Sequence, residues 1–363
     1  MEACEADPFA APGRHSDKAT LYRRRQTGLP LGGGAASMPT DATTRGRSDW
    51  KEGGLLAVGA ALVFGGGLYG LTHWVAPDSG MLLASFLFGA PVGCCVVASL
   101  VSHRRRPMRI SGHVGLSALV ITGLLVGGAV ALRETAICLV MAAPLFYGAG
   151  LTAGAVMGAI LSRPGGGRVA CIAILAPLLF LPIEATGEPP VHHGAVTTIM
   201  EIAAPPEVVW AHTVEIPGIR AEELKPTFSH VVAGVPSPVE AVMSGEGPGA
   251  VRKLRWNGGI RFEEHVTAWE TNRRLAWKFR FSPTSVPTRV ERHIRLDGDY
   301  LRLTDGDYRL EPLPGGRTRL TLTTRYWFAS PINGYCEWWA QRFFGDFHGA
   351  VLGVIKQRAE AVS

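Results

Sequence analysis

The chain has 363 residues, a net charge of +6 and only 18% charged side chains, against roughly 25% in ordinary soluble domains, and its mean hydropathy is +0.16. These values exclude a wholly soluble enzyme and a wholly disordered chain, and the 45 glycines, set among Leu, Val and Ala without a triplet period, exclude collagen. Nucleic-acid binding is excluded as well, because residues 189–363 hold 21 basic against 19 acidic side chains and no segment concentrates basic charge.

Residues 1–51 are polar, rich in Gly, Pro, Arg and Thr, and have no apolar period, so they read as a disordered tail. No signal-peptide core lies near Met1. Four apolar runs follow, Gly54–Ala76, Met81–Ser102, Gly112–Leu132 and Ala136–Leu161. Each reaches the roughly 20 residues a helix needs to cross a bilayer. A fifth, Val169–Ile183, is shorter and holds Pro177 and Pro182; it reads as a crossing helix, with a re-entrant or interfacial segment as the alternative. Residues 52–188 therefore read as a membrane domain of about five helices.

Basic residues favour alternate connections. Arg45, Arg47 and Lys51 precede the first run, His103-Arg104-Arg105-Arg106 and Arg109 fill the second connection, and Arg163 and Arg168 the fourth. The positive-inside rule then places the N-terminus in the cytoplasm. Five crossings would carry everything after Glu184 to the extracytoplasmic side, and four would leave it in the cytoplasm. Carboxylates and cations are nearly absent from the runs, so anchoring is expected rather than transport. Gly150, Gly154 and Gly158 form a small-residue ridge suited to close helix–helix association. The six cysteines show no metal-type spacing, and neither a metal nor a cofactor is expected.

From Ala195 the pattern changes to alternation and turns. Strands are expected at 195–202, 239–244, 250–257, 260–269, 274–281, 300–313 and 317–328, with Gly258-Gly259 and Pro314-Gly315-Gly316 among the turns. A short helix opens at Pro205-Pro206-Glu207, and 219–232 is a second short helix or an irregular stretch. A long helix closes the chain, capped by Ser330 with Pro331 at its first position. It carries Tyr335, Trp338, Trp339, Phe343, Phe347, Val351, Val354 and Ile355 at helical spacing. The order is α+β.

EIAAPPEVVWAH (201–212), GEGPGAVRKLRW (245–256), RFEEHVTAWETNRRLAW (261–277), YRLEPLPGGRTRLTLTTRYW (308–327) and the closing helix together resemble the SRPBCC superfamily. This group contains START-like, polyketide cyclase/dehydrase-like and birch-pollen-allergen-like domains. The resemblance covers roughly 194–361 and implies a helix-grip fold, in which a curved antiparallel sheet wraps a long C-terminal helix around an apolar pocket. No single activity is implied, because such domains include carriers, sensors and cyclases.

Alternation along 261–269 sets Phe262, Glu264, Val266 and Ala268 on the more apolar face, so Glu264 is expected to point into the pocket. A buried carboxylate needs a cation or a raised pKa, and Arg292 is the candidate partner. Arg292 and His293 lie in a stretch, 282–299, whose Pro283 and Pro287 suit a loop over the pocket mouth. Trp277, Tyr308, Tyr326 and Trp339 are candidate wall residues. The leading expectation is a membrane-anchored domain on the extracytoplasmic side, binding a hydrophobic small molecule or lipid. The alternatives are a cyclase- or dehydratase-like enzyme using Glu264 or His293 as acid/base, and a structural or sensory membrane protein with a filled core.

Overall fold

The computed structural model describes residues 41–75, 84–164, 168, 187–291 and 295–363. The fifth apolar run and Arg292-His293 lie outside the described residues. Arg47–Ser363 form one compact unit.

The helical part begins with α1 (Asp41–Val75), so residues 41–51 are helical where the sequence suggested a disordered tail. Asp41 suits the positive end of a helix, and a helix already nucleated by its apolar stretch extends into polar residues at little cost. The second apolar run is broken at Phe88 into α2 (Ala84–Leu87) and the 17-residue α3 (Gly89–Arg105). α4 (Ile110–Gly127) continues through a π-helical turn, Gly128–Leu132, and α5 spans Ala136–Leu161. Among the described residues, three helices, Gly54–Val75, Ile110–Leu132 and Ala136–Leu161, are long and apolar enough to cross a membrane.

The glycine ridge of α5 receives α4. A Cβ on Gly154 would come within 2.3 Å of Ser117 Oγ, and one on Gly158 within 2.9 Å of the Ile110 Cα. Backbones approach this closely only where no side chain intervenes.

The second half is a helix-grip fold. Seven antiparallel strands, β1 (Val191–Ile202), β2 (Pro238–Ser244), β3 (Val251–Trp256), β4 (Ile260–Glu270), β5 (Arg274–Arg280), β6 (Leu301–Leu313) and β7 (Arg317–Ala329), form one sheet in the order β1-β7-β6-β5-β4-β3-β2. α6 (Pro206–Val214) and the single-turn α7 (Phe228–Val231) follow β1. α8 (Asn333–Val362) packs along the sheet. Its buried Leu352, Val354, Ile355 and Ala359 meet Ile202, Leu275, Leu310 and Leu320 in the main core.

Two details differ from the sequence expectation. α8 begins at Asn333, because Ser330 Oγ accepts from the Ile332 N–H, 3.1 Å away, and closes a local turn instead of capping the helix. In β4 the pairing register shifts between Val266 and Ala268. Such an irregularity interrupts simple alternation, and Trp269, assigned by strict period 2 to the outer face, packs edge-on to Trp210 at the core.

Candidate functional site

Between the sheet, α8 and the loops at 233–238 and 286–291 is a cavity of about 530 Å³. Its walls are mainly apolar, with Leu254, Phe262, Phe279, Leu322, Phe343 and Val351 among them. The start of α5 contributes as well, through Thr135, Ala136, Ile137 and Met141.

The Gly258-Gly259 turn, with φ of 71° and 85°, sets the hairpin register that pairs Arg252 on β3 with Glu264 on β4. Both are buried. Arg252 Nε donates to Glu264 Oε2 at 2.6 Å, Nη2 contacts the same oxygen, and Nη1 donates to the Thr213 carbonyl at the end of α6, 2.5 Å away. The guanidinium lies 4.7 Å from the ring centre of Trp277 and 5.4 Å from that of Tyr308. All four side chains line the cavity.

Burial raises the Glu264 carboxyl, and the guanidinium pulls it back without cancelling the rise. On Arg252 burial acts downward, and Glu264 with Tyr308 more than restores it. Arginine does not release its proton in proteins, and neutralising Glu264 would leave a bare buried cation, so the pair is ionised. Burial pushes the Tyr308 phenol up to about 12, against a downward pull from Arg252.

A second polar cluster is neutral. His348 on α8 meets Thr198 Oγ1 through Nδ1 at 3.1 Å and Thr324 Oγ1 through Nε2 at 2.9 Å. Burial holds its pKa down to about 4. A neutral imidazole has one donor and one acceptor nitrogen, and the two hydroxyls engage both.

Of the residues singled out from sequence, Glu264, Trp277, Tyr308 and Trp339 line this cavity. Tyr326 is not among its lining residues: it stacks on Phe328 and Phe344, and its hydroxyl donates to Glu337 Oε2 at 3.0 Å. Arg292 and His293 lie outside the described residues; their neighbour Glu291 accepts from Thr135 Oγ1 at 2.5 Å. Sequence reasoning missed Arg252 and His348. Counting outward from the diglycine turn would have set Arg252 opposite Glu264. Asp346, two residues before His348 on α8, accepts instead from the Ser229 N–H and hydroxyl. Among the described residues, no three His, Cys, Asp or Glu side chains gather as a metal site. The indole N–H of Trp277 is buried and has no hydrogen-bond partner among them.

No family model and no curated protein matches the chain. Solved structures similar to it include an aromatase/cyclase from Streptomyces sp. R1128, 15% identical with a TM-score of 0.31, matched over 47% of this chain and 97% of that one. A protein from Thermus thermophilus is 20% identical, with a TM-score of 0.31, over 47% and 99% of the two chains. A Thalictrum norcoclaurine synthase point mutant, in complex with a transition-state analogue, is 12% identical with a TM-score of 0.30, over 48% and 99%.

Proposed function

We propose that this chain is a membrane-anchored protein that binds a hydrophobic small molecule or lipid in its helix-grip cavity. The observation that carries this reading is the cavity itself. Its volume of about 530 Å³ falls in the range of small-molecule sites, which combine mostly apolar walls with a few polar groups. Each methylene buried there contributes roughly 0.8 kcal/mol, so a modest hydrocarbon body binds with few polar contacts. The exposed Arg289 at the cavity edge is the group that would meet a ligand's oxygens.

Among the described residues, the chemistry of the polar groups favours a binder over a cyclase or dehydratase. An acid/base catalyst needs a group free to exchange a proton with the substrate. Glu264 is held by Arg252, and both nitrogens of His348 are engaged by threonines.

Two features support an extracytoplasmic position for the cavity. The basic cluster at 103–109 lies at the end of the bundle where Ile110 meets Gly158, near the end of α5. Pro190 instead accepts from Asn333, and two residues on Tyr335 donates to the carbonyl of Met141, near the start of α5. The chain thus leaves α5 at one end and enters β1 near the other, as an odd number of crossings requires, with the basic end cytoplasmic.

The test uses the full chain purified in mild detergent. Organic extraction and mass spectrometry should recover a bound apolar molecule, and a dansyl-labelled fatty acid should bind saturably, quenching tryptophan emission. A protein that yields nothing and takes up no probe would overturn the reading.

A further inference from the structure

A second cavity, of about 450 Å³, adjoins the first. It is bounded by α1, α2, α4 and α5, and closed on the sheet side by Tyr300, Ile332, Tyr335 and Cys336. Three side chains, Met141, Tyr300 and Cys336, line both cavities. At this place the wall between the chambers is a single layer of side chains.

The partition is made of groups that can yield. Methionine is unbranched and adapts to irregular space, and the Cys336 thiol is small. Tyr300 stands just before β6, its hydroxyl accepting from the Arg295 N–H at 3.0 Å. The frame around it is pinned: the Tyr335 hydroxyl donates to the Met141 carbonyl at 2.5 Å, and Thr135 to Glu291. Side-chain rotation could open the layer while the frame stays in place. The lower chamber lies among helices long and apolar enough to cross a membrane, whose outward side chains include the exposed Val63 and Val130.

We propose that the two chambers form one path by which an acyl-chain lipid passes from the bilayer into the helix-grip cavity, with Met141, Tyr300 and Cys336 as its gate. This rests on the reading of the upper cavity as a ligand site and adds the source and the route. The advantage is physical: a chain that never meets water avoids a penalty of about fourfold in rate for each methylene exposed on the way.

The test places the full chain in phosphatidylcholine nanodiscs containing a phosphatidylcholine with a diazirine on one acyl chain. After irradiation, mass spectrometry locates the label. Adducts are expected in the lower chamber, at Leu145 or Phe146, and in the upper, at Phe262 or Phe279. Met141→Trp should cut the ratio of upper- to lower-chamber labelling about tenfold, the scale of an overpacked closed wall. Tyr300→Ala, which opens the partition, should raise upper-chamber labelling and keeps the proposal testable if Met141→Trp fails to fold. Label confined to the lower chamber of the unaltered chain would overturn the path, as would upper-chamber labelling that neither variant changes. A dansyl-labelled fatty acid added to the detergent-solubilised chain separates the two readings. Probe uptake there, without labelling from the bilayer, sinks the path alone; failure of both sinks the ligand site too.

Discussion

In the helical part the smallest residues make the close contacts and many large apolar side chains point outward. Gly154 sits against Ser117 and Gly158 against Ile110, while Val63 and Val130 are 78% and 74% exposed. In the sheet part the aromatic rings turn inward, and an ionised pair, Arg252–Glu264, is buried among them. The difference is the one expected if the helical part sits in the bilayer, as proposed, and the sheet part in water. Where the outside is hydrocarbon, apolar residues gain nothing by being inside, and association relies on close packing. Where the outside is water, burying apolar surface drives folding, and a charge can be kept inside only with its partner beside it.

The largest expected effect is at that pair. Glu264→Ala leaves a buried guanidinium without its partner and should cost about 3–5 kcal/mol of sheet-part stability, measured by chemical denaturation of the detergent-solubilised chain. Replacing both, as Arg252→Met with Glu264→Leu, should recover most of the loss. A double variant no more stable than Glu264→Ala alone would show that charge is not what this wall requires.

The neutral cluster sharpens the same contrast through pH. The folded pKa of His348, about 4, lies below its unfolded value of about 6.5. The unfolded chain therefore takes up the proton first. Stability from this group is complete above about pH 6.5 and falls by about 3 kcal/mol as pH drops to about 4. His348→Gln, which keeps a donor and an acceptor for the threonines, should remove that part of the slope in unfolding midpoints measured against pH. An unchanged slope would assign the pH dependence to other groups.

In the bundle the corresponding break is steric. Gly154→Ala sets a methyl 2.3 Å from Ser117 Oγ and 3.0 Å from the His113 carbonyl, and should cost about 1–3 kcal/mol as an overpacked contact. The readout is the thermal midpoint in detergent. If the substitution is silent, the glycine ridge is not what holds α4 to α5.

The smallest effect separates wall from frame. Tyr326→Phe removes the bond to Glu337, and should lower stability by about 1 kcal/mol while leaving dansyl-probe affinity unchanged. Trp277→Phe, on the cavity wall, should weaken the probe with less effect on folding. Equal effects on probe binding would erase the distinction.

Sequence by itself determined whatever depends on local pattern. Runs of apolar residues mark the helices, period-2 alternation and diglycine turns mark the strands, and the aromatic stripe from Tyr335 to Phe347 marks the closing helix. It also placed Glu264 on the apolar face of its strand, because alternation is a property of one strand alone. Tertiary structure decided what depends on which elements meet. The partner of Glu264 comes from a neighbouring strand, His348 is neutral because strands distant in sequence bury it, and Tyr326 lies under α8 away from the cavity wall. The register shift in β4 that brings Trp269 to Trp210 is set by the pairing with β5. The gate-like layer of Met141, Tyr300 and Cys336 joins three segments that share no sequence pattern. Burial and pairing between remote segments are collective, and no single stretch of sequence carries them.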